Sequence, residues 1–350
     1  MELIFIKINH LHGSDIIILG IESSCDDTSA AILKNGEILS NIVASQKVHE
    51  SFGGVVPELA SRAHQKNIIP AVDEAIKKAG ISKSDIDAVA FTRGPGLLGS
   101  LIVGTSFAKS FALALEIPLI DVNHMHGHIL AHFIKNDQTK YPAFPFICLT
   151  VSGGHTQLVL VKDYFDMEIL GQTIDDAAGE AFDKAAKILG LPYPGGPLVD
   201  KYAKLGDPKK FDFPISNIGE YNYSFSGLKT SILYFLKKEM AKNPKFIEEN
   251  LNDICASYQD TIIKTLFKKL VKATREFGIK DVAIAGGVSA NSQLRYELET
   301  VGKAEGWNTF IPSFQYCTDN AGMIAIGGYY KFLKGEFVGQ DVAAQARMKF

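Results

Sequence analysis

One order of elements occurs twice along this chain, and that repetition narrows the possible folds more than any other feature. The first copy opens with an apolar run at residues 16–21 and a small, polar turn, Glu22-Ser23-Ser24-Cys25-Asp26-Asp27. Strand patterns follow at 28–33 and about 37–44, then a helical region at 57–79 that Pro70 is expected to kink or split. A buried strand at 88–92 closes on Gly94-Pro95-Gly96, and a helix at 100–115 and a short strand at 119–122 complete the copy. The second copy begins with a strand at 146–151, the turn Ser152-Gly153-Gly154-His155, and strands at 156–161 and about 167–173. A long helix follows at about 257–277, where Ile262, Ile263, Leu266, Leu270 and Val271 make one apolar stripe at spacings of three and four. A strand at 281–285, the turn Gly286-Gly287-Val288-Ser289, a helix and a strand at 308–311 close it.

Each copy reads hairpin, strand, helix, strand, glycine turn, helix, strand. This order predicts an α/β protein of two related lobes facing a cleft. Lobe I would comprise 15–142 plus 320–350, because a last helix at 320–332 is expected to pack back across it. Lobe II would span 143–319 and carry an insertion at 174–256, and residues 1–14 would form an N-terminal extension.

Composition excludes several classes. A chain of 350 residues with 46% hydrophobic and 21% charged residues is typical of globular proteins. No apolar run approaches the roughly 20 residues of a membrane span. The first fifteen residues hold one lysine and no arginine, unlike a transit peptide, so a cytoplasmic location is expected. Cys25, Cys148, Cys255 and Cys317 are scattered without a C-x-x-C pair, which argues against a disulfide framework or a cysteine-based zinc site. The net charge of -3 lacks the basic surplus of a protein that grips nucleic acid alone. A nucleic-acid substrate would therefore need a local patch or a partner. The pairs Lys209-Lys210, Lys237-Lys238 and Lys268-Lys269 read first as solvated helix faces.

The turns at 23–27 and 152–155 occupy equivalent places in the two copies. Tight turns present successive backbone N–H groups, a nest for anions such as phosphates, and glycine lets a ligand approach the backbone closely. The turn at 285–291 joins a strand to a helix, whose N-terminus would also favour an anion. Gly-x-Gly-x-x-Gly and Walker loops are absent, which disfavours dinucleotide and P-loop readings. Among the acidic groups nearby, Asp175 and Asp176 read as N-terminal caps of a following helix, and Asp183 as a ligand contact.

Four of the nine histidines lie in Asn123-His124-Met125-His126-Gly127-His128 and at His132. On a helix, His124, His128 and His132 share one face, and two imidazoles one turn apart can chelate a cation. A third ligand must come from elsewhere, and Asp319, in Cys317-Thr318-Asp319-Asn320, stands at the start of the last helix. A zinc protease would need a glutamate where Met125 stands, and a serine hydrolase would need a glycine two residues before Ser152. Two other readings stay open on these residues: a kinase or ATPase using the turns for ATP, and a nucleotide-binding regulatory scaffold.

Many motifs, in order, point to one family. The stretches 20–28, 53–64, 93–101, 124–128, 151–157, 175–184, 194–197 and 286–291 together closely resemble the tRNA N6-adenosine threonylcarbamoyltransferases (the TsaD family, once classed as O-sialoglycoprotein endopeptidases). The resemblance covers nearly everything after Asp15. It implies the actin and sugar-kinase-like (ribonuclease-H-like) two-lobed fold. It also implies transfer of a threonylcarbamoyl group from threonylcarbamoyl-adenylate to N6 of adenosine 37 in tRNA, releasing AMP. By motif match His124, His128 and Asp319 would bind Fe2+, with zinc as the other possibility. Thr150, Val151, Ser152, Gly153, Gly154, Asp183, Gly196, Asp200 and Asn291 would contact the adenylate, and Asp26 would be the catalytic carboxylate. The family's Cys-Asp-Glu-Thr is Cys25-Asp26-Asp27-Thr28 here, so the carboxylate at Asp27 is one methylene shorter. Family members in bacteria work with an inactive homologue and a P-loop ATPase, and such partners are expected for this chain.

Overall fold

The computed structural model describes residues 15–136 and 140–350, so the expected extension at 1–14 lies outside the described residues. The chain divides into two compact units, one built from Met1–Val48, Val55–Tyr141 and Asp319–Phe350, the other from His49–Gly54 and Pro142–Thr318.

The first unit is built on strands β1 (Ile17–Glu22), β2 (Thr28–Lys34), β3 (Glu37–Ala44), β4 (Ala88–Gly94) and β5 (Leu119–Asn123), in the order β3-β2-β1-β4-β5. The hairpin partners are antiparallel, while β1, β4 and β5 run parallel. Strand alternation explains how the sheet is covered. Ile17, Leu19 and Ile21 join the core formed with helices α1 (Pro57–Ala79) and α2 (Leu98–Leu115). Gly20 lies against the last helix of the chain: a Cβ there would sit 2.4 Å from the Ala321 carbonyl oxygen, so only glycine admits this contact.

Helix α1 passes through Pro70 without a break. Its buried stripe, Ala60, His64, Ile68, Ala71, Val72, Ala75 and Ile76, continues on both sides of the proline, and packing outweighs the roughly 3 kcal/mol that an internal proline costs. Helix α2 is long and apolar enough to cross a membrane, with a mean hydropathy of 1.5 over 18 residues. This corrects the expectation that no apolar run approaches spanning length; one face of the helix, Ser100, Leu101, Gly104, Thr105, Ala108 and Ala112, is buried within the unit. Helix α3 (His124–Leu130) follows β5 directly.

The second unit repeats the topology. Strands β6 (Phe146–Val151), β7 (Thr156–Val161), β8 (Met167–Gln172), β9 (Asp281–Ala285) and β10 (Asn308–Phe310) lie in the order β10-β9-β6-β7-β8. Its first strand again pairs antiparallel with the next and parallel with the fourth. The duplicated pattern in the sequence is thus a duplicated sheet. Between β8 and β9 come α4 (Ala178–Ile188), α5 (Gly196–Ala203), α6 (Ser226–Met240) and the long α7 (Phe246–Phe277). Helix α7 starts at Phe246 rather than near 257, because Phe246, Ile247, Leu251 and Ile254 carry the apolar stripe back through a polar-rich stretch. Helices α8 (Ser292–Glu305) and α9 (Ala321–Lys334) complete the described helices, and α9 packs on the first unit's sheet.

Two local expectations are overturned. Asp175 does not cap α4, whose N-cap is Ala177. It accepts from the Ser224 and Ser226 hydroxyls (2.5 and 2.7 Å) and from the Phe225 and Ser226 backbone N–H (2.8 and 3.2 Å), at the start of α6. Backbone pairing of Tyr223 with Gln172 and Ile174 brings that segment alongside. Asp176 pairs with Lys184 at 2.6 Å. Replacing Asp175 with alanine should therefore lower stability by about 1 kcal/mol, read as a shift in the urea midpoint, by loosening α6 rather than α4. Lys269 is not on a solvated face either. It is buried and donates to the carbonyls of Ile218 and Glu220 at 2.6 and 2.8 Å, tying that loop to α7.

Candidate metal centre and nucleotide-binding turns

In the first unit, β5 ends at Asn123, whose side-chain oxygen accepts from the N–H groups of Met125 and His126 (2.9 and 3.3 Å) and so starts α3. One turn of α3 then separates His124 from His128, whose rings meet edge to face at 4.8 Å. Asp319, just ahead of the Asn320 cap of α9, brings Oδ1 to 3.5 Å from Nε2 of His124 and 3.2 Å from Nε2 of His128. One ligand atom from each of the three residues lies within 4.8 Å of the others. Two imidazoles and a carboxylate are a donor set that zinc and iron(II) accept, so these residues fit a metal ion. The other two histidines of the cluster stand apart from this group. His126 lies against the Phe350 ring, and burial, with Lys331 nearby, pushes its pKa down to about 4. His132 sits in the short turn that follows α3.

The turn at 23–27 packs beside this group. Asp26 lies on it, partly exposed. Two residues that the sequence reading left without a role hold the turn in place. His64 of α1 bonds through its ring nitrogens to the Thr28 hydroxyl (2.7 Å) and the Cys25 carbonyl (3.0 Å). Glu22, wholly buried at the end of β1, accepts from the Thr92 hydroxyl at 2.6 Å and from the Ser24 N–H, and lies 3.1 Å from Nδ1 of His124. Burial alone would push the Glu22 carboxyl up, but the His124 imidazole outweighs it and holds the group below the usual range. Burial likewise disfavours the His124 cation, but the Asp319 and Glu22 carboxylates raise its pKa to about 9 when no metal is bound. A carboxylate that ends an otherwise apolar strand is the anomaly that could have flagged Glu22 in the sequence.

Asp27 is pushed up to about 6, first by burial and then by the neighbouring Asp26 charge. A carboxyl raised on folding favours the folded state most below its unfolded pKa of about 3.9, and that contribution fades as pH rises through about 6. The metal-free D27N variant should lose this decline between pH 4 and 7 and be more stable than the parent at pH 7. Urea denaturation across that range checks it.

In the second unit, β6 and β9 are parallel neighbours, with Thr150 beside Ala285, so the turns at 152–155 and 286–289 leave the same edge together. Thr150 and Val151 are buried within β6. Ser152 closes its turn by donating its N–H to the His155 carbonyl and accepting the His155 N–H on its hydroxyl (2.8 and 3.1 Å). Side chains added at Gly153, Gly154 or Gly287 would meet nothing within 4 Å, which leaves these backbones open to a ligand. Asp183 takes the N–H groups of Gly195 and Gly196 on Oδ1 (2.8 and 3.0 Å), so it shapes the Gly196 loop, and that amide is already engaged.

The helix start after residue 291 differs from expectation. Asn291 accepts from the N–H groups of Gln293 and Leu294, and Asp200 from the N–H and hydroxyl of Ser292. The first amides of α8 are therefore capped by the protein itself and do not form an anion site. Buried Gln259, another residue that sequence reading missed, joins the two caps by accepting from Asn291 (2.7 Å) and donating to Asp200 (3.3 Å).

Two copies of one five-stranded sheet, with glycine turns at the ends of their parallel strands, define an α/β protein of the actin and sugar-kinase type. Full-length HypF in a phosphate- and nucleotide-bound form aligns over 92% of this chain and 47% of its own, with a TM-score of 0.58 at 15% identity. The Clostridium difficile activator of 2-hydroxyisocaproyl-CoA dehydratase, solved with ADPNP, aligns over 93% and 99%, with a TM-score of 0.51 at 15% identity. At such identities the likeness is one of fold. The chain belongs to the TsaD family, tRNA N6-adenosine threonylcarbamoyltransferase, whose sequence profile matches residues 37–326. Relatives of that name are 63% identical in Christiangramia forsetii, over 96% of this chain and 98% of theirs, and 59% identical in Porphyromonas gingivalis, over 95% and 98%. The relative from Caldicellulosiruptor saccharolyticus is 50% identical over 92% and 94%.

Proposed function

We propose that this protein transfers the threonylcarbamoyl group of threonylcarbamoyl-adenylate to N6 of adenosine 37, in tRNAs reading codons that begin with A, with release of AMP. Near full-length identity to relatives named for this activity carries the reading. The chemistry suits the site. The exocyclic amine of adenine is a weak nucleophile, so the donor must be activated and held in place. N6 attacks the carbamoyl carbon, the bond to the phosphate oxygen breaks, and AMP leaves with the electron pair. The open amides of Gly153, Gly154 and Gly287 would receive the adenylate phosphate, on a frame set by Thr150, Val151, Ser152, Asp183, Gly196, Asp200 and Asn291. An iron(II) ion, or zinc, held by His124, His128 and Asp319 would orient the threonyl part or polarise the carbonyl. Asp26 would take the proton that N6 loses. An adenine in the anticodon loop is already unpaired, so exposing it costs little.

The D26N variant should turn over at least about 100-fold more slowly with tRNA binding intact, and normal turnover would reject the base assignment. The net charge of -3 leaves part of the tRNA grip to partners, for which we propose an inactive homologue and a P-loop ATPase, in the cytoplasm. Exposed Leu98, Ile102 and Leu113 on α2 give such a partner an apolar face to cover. The deciding assay combines the purified protein and its partners with threonine, bicarbonate, ATP, the adenylate-forming enzyme and unmodified tRNA. Mass spectrometry of the nucleosides should find threonylcarbamoyl-adenosine. Its absence, with adenylate demonstrably made, would overturn the reading.

A further inference from the structure

We infer that Glu22 is a positioning residue for the metal centre, holding His124 through Nδ1 so that Nε2 offers its lone pair beside Asp319. The inference rests on reading His124, His128 and Asp319 as metal ligands. Glu22 is not in that ligand group, yet it is the wholly buried carboxylate that touches it. Its two oxygens are both engaged. Oε1 accepts the Ser24 N–H, and Oε2 receives the Thr92 hydroxyl at 2.6 Å and faces Nδ1 of His124 at 3.1 Å. An ionised carboxylate can only accept, so the ring proton of His124 belongs on Nδ1. A neutral ring then has its lone pair on Nε2, 3.5 Å from Oδ1 of Asp319. The gap between these two atoms takes a cation, a proton in the metal-free protein or a metal ion in its place. A carboxylate behind the imidazole is also how proteins fix a metal-binding histidine and raise its basicity.

The sheet sets this relay. Glu22 ends β1, Thr92 lies in β4 and His124 follows β5, three neighbouring parallel strands in which Ile21 pairs with Phe91 and Thr92 with Val122. Carboxylate, hydroxyl and imidazole are thus placed by strand register rather than by a loop. Through the Ser24 N–H the same carboxylate also anchors the turn that bears Asp26.

The test compares the full-length wild type with E22Q, E22D and T92V, each stripped with a chelator and titrated with Zn2+ against a chromophoric competitor. The wild type should take up one ion per chain. E22Q should bind it about 10- to 100-fold more weakly, because an amide is a poorer acceptor and the site loses a negative charge. E22D, which keeps the charge and shortens the reach, should fall between, and T92V should lose several-fold. Thermal midpoints of the stripped proteins provide the control: a purely structural Glu22 would lower the midpoint and leave the affinity of the folded protein unchanged. A folded E22Q with affinity within twofold of the wild type overturns the inference. Should E22Q fail to fold, a T92V affinity within twofold of the wild type does the same. A wild type that takes up no Zn2+ overturns the metal reading itself, and the inference with it.

Discussion

His128→Ala is expected to strip the protein of its metal and to reduce threonylcarbamoyl-adenosine formation to background. The variant leaves one imidazole and one carboxylate, and neither the Asn320 cap nor the Glu22 contact can restore the lost nitrogen. Losing a partner that only supports a ligand costs metal affinity about 10- to 100-fold, so losing a ligand itself should cost more than about 100-fold. Elemental analysis of the purified variant and mass spectrometry of its tRNA product check both halves. Full metal content in this variant would exclude His128 as a ligand. The surrounding unit should stay folded, because the buried stripe of α3 also includes Met125, Ile129 and Leu130.

Gly286→Ala is expected to be strongly damaging for a change of a single methyl group. Gly286 has φ +87° and ψ 168°, a region that side chains other than glycine's rarely enter. A Cβ there would also stand 2.5 Å from the Val151 carbonyl oxygen. Strain and clash together should cost about 2–4 kcal/mol or displace the turn from β6. Gly287→Ala is the matched control, since its Cβ would meet nothing within 4 Å. Urea denaturation should separate the two sharply. If the adenylate passes over this turn, the control should bind it more weakly while keeping wild-type stability. Equal stabilities for the two variants would remove the assigned role of Gly286.

The difference between what could and could not be read in the sequence follows from the range of the interactions. The duplicated sheet was legible because its signals are local: apolar runs such as 16–21 and 146–151, each followed by a small-residue turn. The grouping of the candidate metal ligands was legible as well, since His124 and His128 are one helical turn apart and Asp319 marks a helix start. The supporting groups were not. Glu22 meets Thr92 and His124 across 70 and 102 residues, and Gln259 meets Asp200 across 59. Asp175 looked like a cap for the nearest helix but serves one that begins 51 residues away. The open helix start expected after residue 291 failed for the same reason, because Asp200, 92 residues upstream, already occupies it. Periodicity reports which face of an element is buried; it carries no information on which distant polar group will meet a given donor.

The chain order of the ligands has a consequence for biosynthesis. His124 and His128 are translated before any of β6–β10, whereas Asp319 follows all of them. A nascent chain therefore offers only a pair of imidazoles, a weak and unselective chelator, throughout synthesis of the second half. A three-ligand site at these residues would therefore be completed only when translation is nearly finished.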